Sequence, residues 1–226
     1  MTFWVSLEGP NGVGKSHLAR RLARRLGPGC ALAEELSDLH GDDLAPTLVD
    51  ALAAGKDPFL RGDAPLARTL MLLALKTRVW EQFTITGPHP PVVLEDRGVD
   101  TVAAYQAAII AGTGAPDAAL HDEMDRIYAA STAMRPLPDL TLLLLDDPAE
   151  CAQRYALRTG GPLHPADRAL SDCAMRLYRY RAMKEPGRIK VINRWGLNEA
   201  DSLALMEKTI SDARFAQREV SGCSAT

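Results

Sequence analysis

Apolar residues along the chain fall into short unbroken runs separated by longer stretches of helical period. That alternation predicts a layered α/β fold with a mostly parallel sheet. Residues 3–8, 91–95 and 140–145 are compact apolar runs, the pattern of strands covered on both faces. Residues 30–33 form a weaker strand candidate and 189–192 a last one. Helical spacing predicts helices over 17–26, 43–54, 65–83, 100–111, 116–134, 148–158, 169–183 and 199–215. Breakers lie between them: Gly27-Pro28-Gly29, the stretch around Pro58 and Gly62, Gly87-Pro88-His89-Pro90, and a Gly/Pro loop over 159–165. Residues 216–226 are polar and are expected to fray. No repeat, low-complexity tract or linker interrupts the pattern, so residues 1–215 are expected to form one domain.

Composition narrows the function classes. With 226 residues, 46% hydrophobic and 24% charged, the chain suits one globular domain. A net charge of -3 argues against a protein that coats nucleic acid. The apolar runs fall far short of the roughly 18–20 residues that a spanning helix needs, so no membrane segment is expected. The first ten residues lack the basic start and cleavage site of a signal peptide, and a cytoplasmic protein is expected. Cys30, Cys151, Cys173 and Cys223 are scattered without metal-ligand spacing, which predicts reduced thiols and no structural zinc. Arginines number 20 against six lysines, so a single arginine is a weak signal and a well-placed lysine a strong one.

One such lysine closes a motif. Gly9-Pro10-Asn11-Gly12-Val13-Gly14-Lys15-Ser16 fits GxxxxGK[ST], placed after a buried strand and before a helix. Glycines at 9, 12 and 14 let backbone N–H groups turn inward around phosphate oxygens. The following helix presents the positive end of its dipole to the same anion. Lys15 is placed for the β and γ phosphates and the Ser16 hydroxyl for Mg²⁺. These features predict a P-loop protein that binds a nucleotide. A second charged site ends the 91–95 strand. Asp96 stands where it can hold Mg²⁺ through water, and Arg97 where it can neutralise a phosphoryl group in transfer.

The residues that follow resemble a family. Asp96-Arg97-Gly98-Val99-Asp100-Thr101-Val102-Ala103-Ala104-Tyr105-Gln106 is similar to the DR…AYQ signature of thymidylate kinases. Glu8 to Ser16 looks like their phosphate loop. Pro138-Asp139-Leu140-Thr141-Leu142 with Asp146 and Pro148 looks like a later segment, and Asp167-Arg168 with Leu177-Tyr178 and Arg181 like the stretch after their lid. The matches come in family order. The resemblance implies a P-loop NTPase fold, a five-stranded parallel sheet flanked by helices with a short lid near 158–169, and usually a homodimer. It also implies an ATP- and Mg²⁺-dependent kinase, with an acceptor-binding segment near 34–85. Tyr105 is then implied to pack on the acceptor sugar and Gln106 to hydrogen-bond its base. Residues 72–78 look like the family's base-contacting helix, which puts Ala74 and Arg78 toward the acceptor, although leucines there also suit a core. In the lid, one of Arg154, Arg158 and Arg168 is implied to act on the γ-phosphate, the others being solvated.

Three departures bear on the acceptor. Asn11 stands where the family has an acid. The thymine-stacking aromatic aligns with Ala74, or with Leu73 after a one-residue slip. The arginine that clamps the acceptor phosphate is replaced by Glu34-Glu35-Leu36, and residues 27–60 contain no arginine. Two kinase readings follow. A monophosphate acceptor of the thymidylate type needs cationic clamps, and Arg78 and Arg97 are candidates. A neutral hydroxyl acceptor, such as a nucleoside, needs a base, which Glu34 or Glu35 can supply. Glu34 also suits a plain surface charge, and the family itself has a glutamate matching Glu35. A third reading is a slow P-loop binding protein, against which the DR…AYQ block argues.

Overall fold

The computed structural model describes residues 2–33, 44–55, 57, 59–87 and 89–223. Five strands form one parallel sheet: β1 Phe3–Glu8, β2 Cys30–Ala33, β3 Val92–Asp96, β4 Leu140–Leu145 and β5 Ile189–Asn193. Their order is β2-β3-β1-β4-β5. The central strand β1 pairs with β3 (Leu7 opposite Asp96) and with β4 (Leu7 opposite Leu142). Every residue of β1 and β3 is buried, as expected of strands with helices on both faces.

Eight α-helices surround the sheet among the described residues: α1 Lys15–Leu26, α2 Leu44–Ala53, α3 Pro65–Glu81, α4 Val99–Ala111, α5 Asp117–Thr132, α6 Pro148–Thr159, α7 Pro165–Lys184 and α8 Glu199–Cys223. Two core clusters lie on either side of the sheet. One, around Leu7, Leu18, Leu142 and Met206, joins β1 and β4 to α1 and α8. The other, around Leu72, Ala103, Met124 and Leu177, joins α3, α4, α5 and α7.

The elements match the hydrophobic pattern closely, with informative differences at their ends. α3 does not stop at residue 83 but unwinds into a π-helical turn, Gln82–Thr86. α7 begins at Pro165 and not at 169. Proline is at home in a first helical turn, and the His164 ring accepts the Ala166 N–H as a cap (3.3 Å). The lid connection is therefore only residues 160–164. α8 continues through Cys223, past the residue 215 at which the pattern ends it. No described helix is long and apolar enough to cross a membrane.

All five strands run the same way, so their carboxyl ends share one edge. The chain leaves β1 toward β2 and β3 on one side and later fills β4 and β5 on the other. Such a switch point opens a crevice at the carboxyl ends, and the loop after β1 sits in it.

Candidate active site

Residues 9–14 turn tightly between β1 and α1. Gly12 shows why the glycine is needed. Its φ is 83°, and a Cβ there would lie 2.0 Å from the Cys151 carbonyl oxygen on α6. Lys15, buried, folds back over the loop and donates to the Gly9 carbonyl (2.8 Å) and the Pro10 carbonyl (2.9 Å). Arg154 of α6 reaches the same loop, donating to the Gly12 carbonyl (3.4 Å) and pairing with Asp146 (2.9 Å) and Glu150. Arg158 lies 5.7 Å over the Tyr155 ring, and Arg168 is exposed. Of the three lid arginines, only Arg154 is tied to the phosphate loop by a described contact.

Arg194, just beyond β5, was not singled out from sequence. It donates to the Val13 carbonyl and lies 3.4 Å from Asp146. Its position after a strand's carboxyl end is the signal that points to it.

The end of β3 carries Asp96 and Arg97. Asp96 is buried beside Leu7, and its Oδ1 has no hydrogen-bond partner. An orphaned carboxylate oxygen of this kind fits a cation. Arg97 has φ 61°, a left-handed conformation that is uncommon for a residue with a side chain. Its guanidinium donates to the Asn11 Oδ1 (2.8 Å). An aspartate at position 11 would offset that charge, whereas the neutral amide accepts the hydrogen bond without adding a counter-charge.

Against Asn11 and Arg97 opens a cavity of about 300 Å³. Its wall comes from α2 (Val49, Leu52, Ala53), the following connection (Phe59, Leu60), α3 (Leu72, Lys76) and α4 (Thr101, Val102, Tyr105, Gln106). Tyr105 and Gln106 thus stand in the wall of the expected acceptor pocket. Gln106 is anchored by Thr69, whose hydroxyl lies 3.1 Å from Gln106 Oε1 and 2.9 Å from the Pro65 carbonyl. On α3 the expected register is corrected. Leu72 and Lys76 face the cavity, while Ala74 is exposed, Leu73 is in the core, and Arg78 is not in the wall. Two residues advance a helix by about 200°, so the face carrying 72 and 76 excludes 74 and 78. Glu34 and Glu35 lie outside the described residues.

Lys76 was missed from sequence, although its rarity and its spacing of four from Leu72 are legible signals. It is only 2% exposed and lies 3.4 Å from Glu95. Arg135 reaches both Glu95 oxygens (3.4 and 3.3 Å), and the Trp4 indole donates to Glu95 at 2.7 Å. Burial pushes the Glu95 carboxyl up, but Arg135 and Lys76 outweigh burial and hold it below the usual range. Two cations on one carboxylate leave the cluster with an excess positive charge, and Lys76 also stands in the cavity wall.

Glu8, at the end of β1, is the opposite case. It is fully buried and accepts from Ser6 (2.6 Å), Tyr178 (3.0 Å), the Gly98 N–H (2.8 Å) and Thr101. Burial and the nearby Asp100 raise its carboxyl above the usual range. Asp100 is itself pushed up by burial but held low by Arg188 (2.8 and 3.0 Å), Tyr128 and Thr141.

No family model matches the chain, and no curated protein matches its sequence. Solved structures do match. The chain is similar to thymidylate kinase from Candida albicans, with a TM-score of 0.64 at 17% identity over 94% of this chain and 92% of that one. It is also similar to thymidylate kinase from Ehrlichia chaffeensis, with a TM-score of 0.58 at 20% identity over 93% of this chain and 98% of that one. The five-stranded parallel sheet, its helices and its phosphate loop make up a thymidylate kinase-like fold.

Proposed function

We propose that the protein transfers the γ-phosphoryl group of ATP to a nucleoside monophosphate, dTMP or a related nucleotide. The observation that carries this is the charge of the cavity wall. Arg97 and Lys76 line it. A monophosphate is already a nucleophilic anion, so its site needs cations and no strong base; a neutral hydroxyl needs the reverse.

The roles follow from position. Backbone N–H groups of residues 9 and 11–14 and the Lys15 ammonium hold the donor phosphates. Arg97 orients the acceptor phosphate, and Arg154 neutralises charge that builds on the transferring group. Bound Mg²⁺ supplies further neutralisation of the phosphates, and Ser16 and Asp96 are the residues that fit it. Tyr105 packs on the acceptor sugar, while Gln106 and Lys76 offer hydrogen bonds to the polar edge of its base. Homodimer formation belongs to the same reading, and sedimentation at micromolar concentration tests it.

The deciding experiment is ADP release over a panel of dTMP, dUMP, other monophosphates, thymidine and other nucleosides. Turnover of a monophosphate is expected. Turnover of a nucleoside with none of the monophosphates overturns the proposal and favours a hydroxyl acceptor, with Glu34→Gln and Glu35→Gln as the next variants. Nucleotide binding without acceptor-stimulated hydrolysis leaves only a binding protein.

A further inference from the structure

The family resemblance places a ring-stacking aromatic on the third helix, and α3 offers only Leu72 and Lys76 to the cavity. An aromatic does line the cavity, from a different element. Phe59, in the connection between α2 and α3, is 8% exposed and stands in the wall. Its ring stacks on Tyr105, which also lines the cavity, with centroids 5.9 Å apart and planes 26° from parallel. Resting on the nucleotide-kinase reading above, we propose that Phe59 is the specificity residue that packs against the planar ring of the acceptor.

Local structure holds Phe59 for that task. The Asp57 carboxylate accepts the Phe59 N–H at 2.8 Å and pairs with Arg61 at 2.7 Å. The Arg61 guanidinium lies 5.6 Å over the Phe59 ring and reaches Asp167 in the first turn of α7 at 2.5 Å. A short connection is thereby pinned to the helix that follows the lid. Arg61 is a positioning residue: it fixes the ring and does not line the cavity. The neighbouring wall points to the same kind of ligand. Val49, Leu52 and Leu60 are apolar. The buried Tyr105 hydroxyl, beside Ser171, makes no hydrogen bond of good geometry, which leaves a polar group ready for the sugar next to a surface suited to the base.

Leucine has a volume near that of phenylalanine but no aromatic face, so Phe59→Leu separates stacking from filling. The test is steady-state kinetics of the wild type, Phe59→Tyr, Phe59→Leu and Phe59→Ala with the best acceptor from the panel. Base–aromatic stacking corresponds to about a tenfold change in affinity or more. Phe59→Tyr is expected within about twofold of wild type. Phe59→Leu is expected to raise the acceptor KM about tenfold, with the ATP KM unchanged and the melting temperature lowered by no more than about 5 °C. Wild-type acceptor KM in Phe59→Leu overturns the proposal. Should Phe59→Ala fail to fold, the Leu and Tyr variants still decide. Should the best acceptor be a nucleoside, the monophosphate reading falls while the same comparison, run on that nucleoside, still judges Phe59.

Discussion

On the proposed donor side, consecutive residues 9–16 would supply the cradle, mostly through backbone groups and a turn that glycine permits. On the acceptor side, the wall is assembled from side chains of α2, the connection after it, α3, the end of β3 and α4. Phosphates are common to every nucleotide, so a backbone cradle suits any donor and tolerates little change of shape. Acceptors differ in ring, sugar and charge, so selectivity resides in side chains that change without disturbing the sheet. Asn11, Leu72 and Lys76 all line the cavity of the second half.

The largest break in this contrast comes from the donor side. Lys15→Ala is expected to lower kcat by roughly a thousandfold, the scale of losing a charged donor from a transition-state site. Acceptor affinity, measured by equilibrium binding, is expected to stay within about twofold. A parallel loss of acceptor affinity would show the halves to be one coupled site.

Next comes the buried cluster behind the acceptor wall. Glu95→Gln strands two buried cations, Lys76 and Arg135, without their counter-charge. Breaking such a group is expected to cost about 3 kcal/mol in urea denaturation. Lys76→Met leaves Glu95 paired with Arg135 and Trp4. It is expected to fold and to raise the acceptor KM about tenfold, the worth of a hydrogen bond to a charged group. An unchanged KM would confine Lys76 to the core.

The same contrast explains what the chain alone discloses. A contiguous motif flanked by a strand and a helix is visible in one dimension, so the loop from Gly9 to Ser16 can be read without coordinates. Strands β1, β3 and β4 are legible because burial on both faces leaves unbroken apolar runs. The acceptor wall is less legible because it depends on helical phase. A family pattern laid along 72–78 selects Ala74 and Arg78, and a two-residue offset turns the opposite face of α3 to the cavity. Phe59 escapes altogether, since a single aromatic between Pro58 and Gly62 has no period to mark it. Its role depends on contact with Tyr105 across 46 positions, which only folding creates. The start of α7 escapes for a local reason, because Pro165 looks like a loop residue until it is recognised as opening a helix.

The smallest expected effect compares two buried glutamates at neighbouring strand ends. Glu95 faces two cations and stays ionised, so its contribution to stability is present above the unfolded carboxyl value of about 4.5 and is lost as pH falls below it. Glu8 has hydroxyl and N–H partners but no cation, and burial with Asp100 nearby raises its carboxyl. Its sign is therefore reversed. Below the unfolded value both states hold the proton and Glu8 makes no difference. As pH rises, the unfolded chain releases the proton first, and the native state loses stability until its own, higher value is passed. Each tenfold difference in proton affinity amounts to about 1.4 kcal/mol. Gln at position 8 is neutral throughout and can still bond to Ser6, Thr101 and Tyr178. Urea denaturation of wild type and Glu8→Gln from pH 4 to 8 is expected to show the variant gaining relative stability as pH rises. A constant offset across that range would mean that the Glu8 carboxyl binds its proton equally well folded and unfolded, its four hydrogen bonds balancing burial.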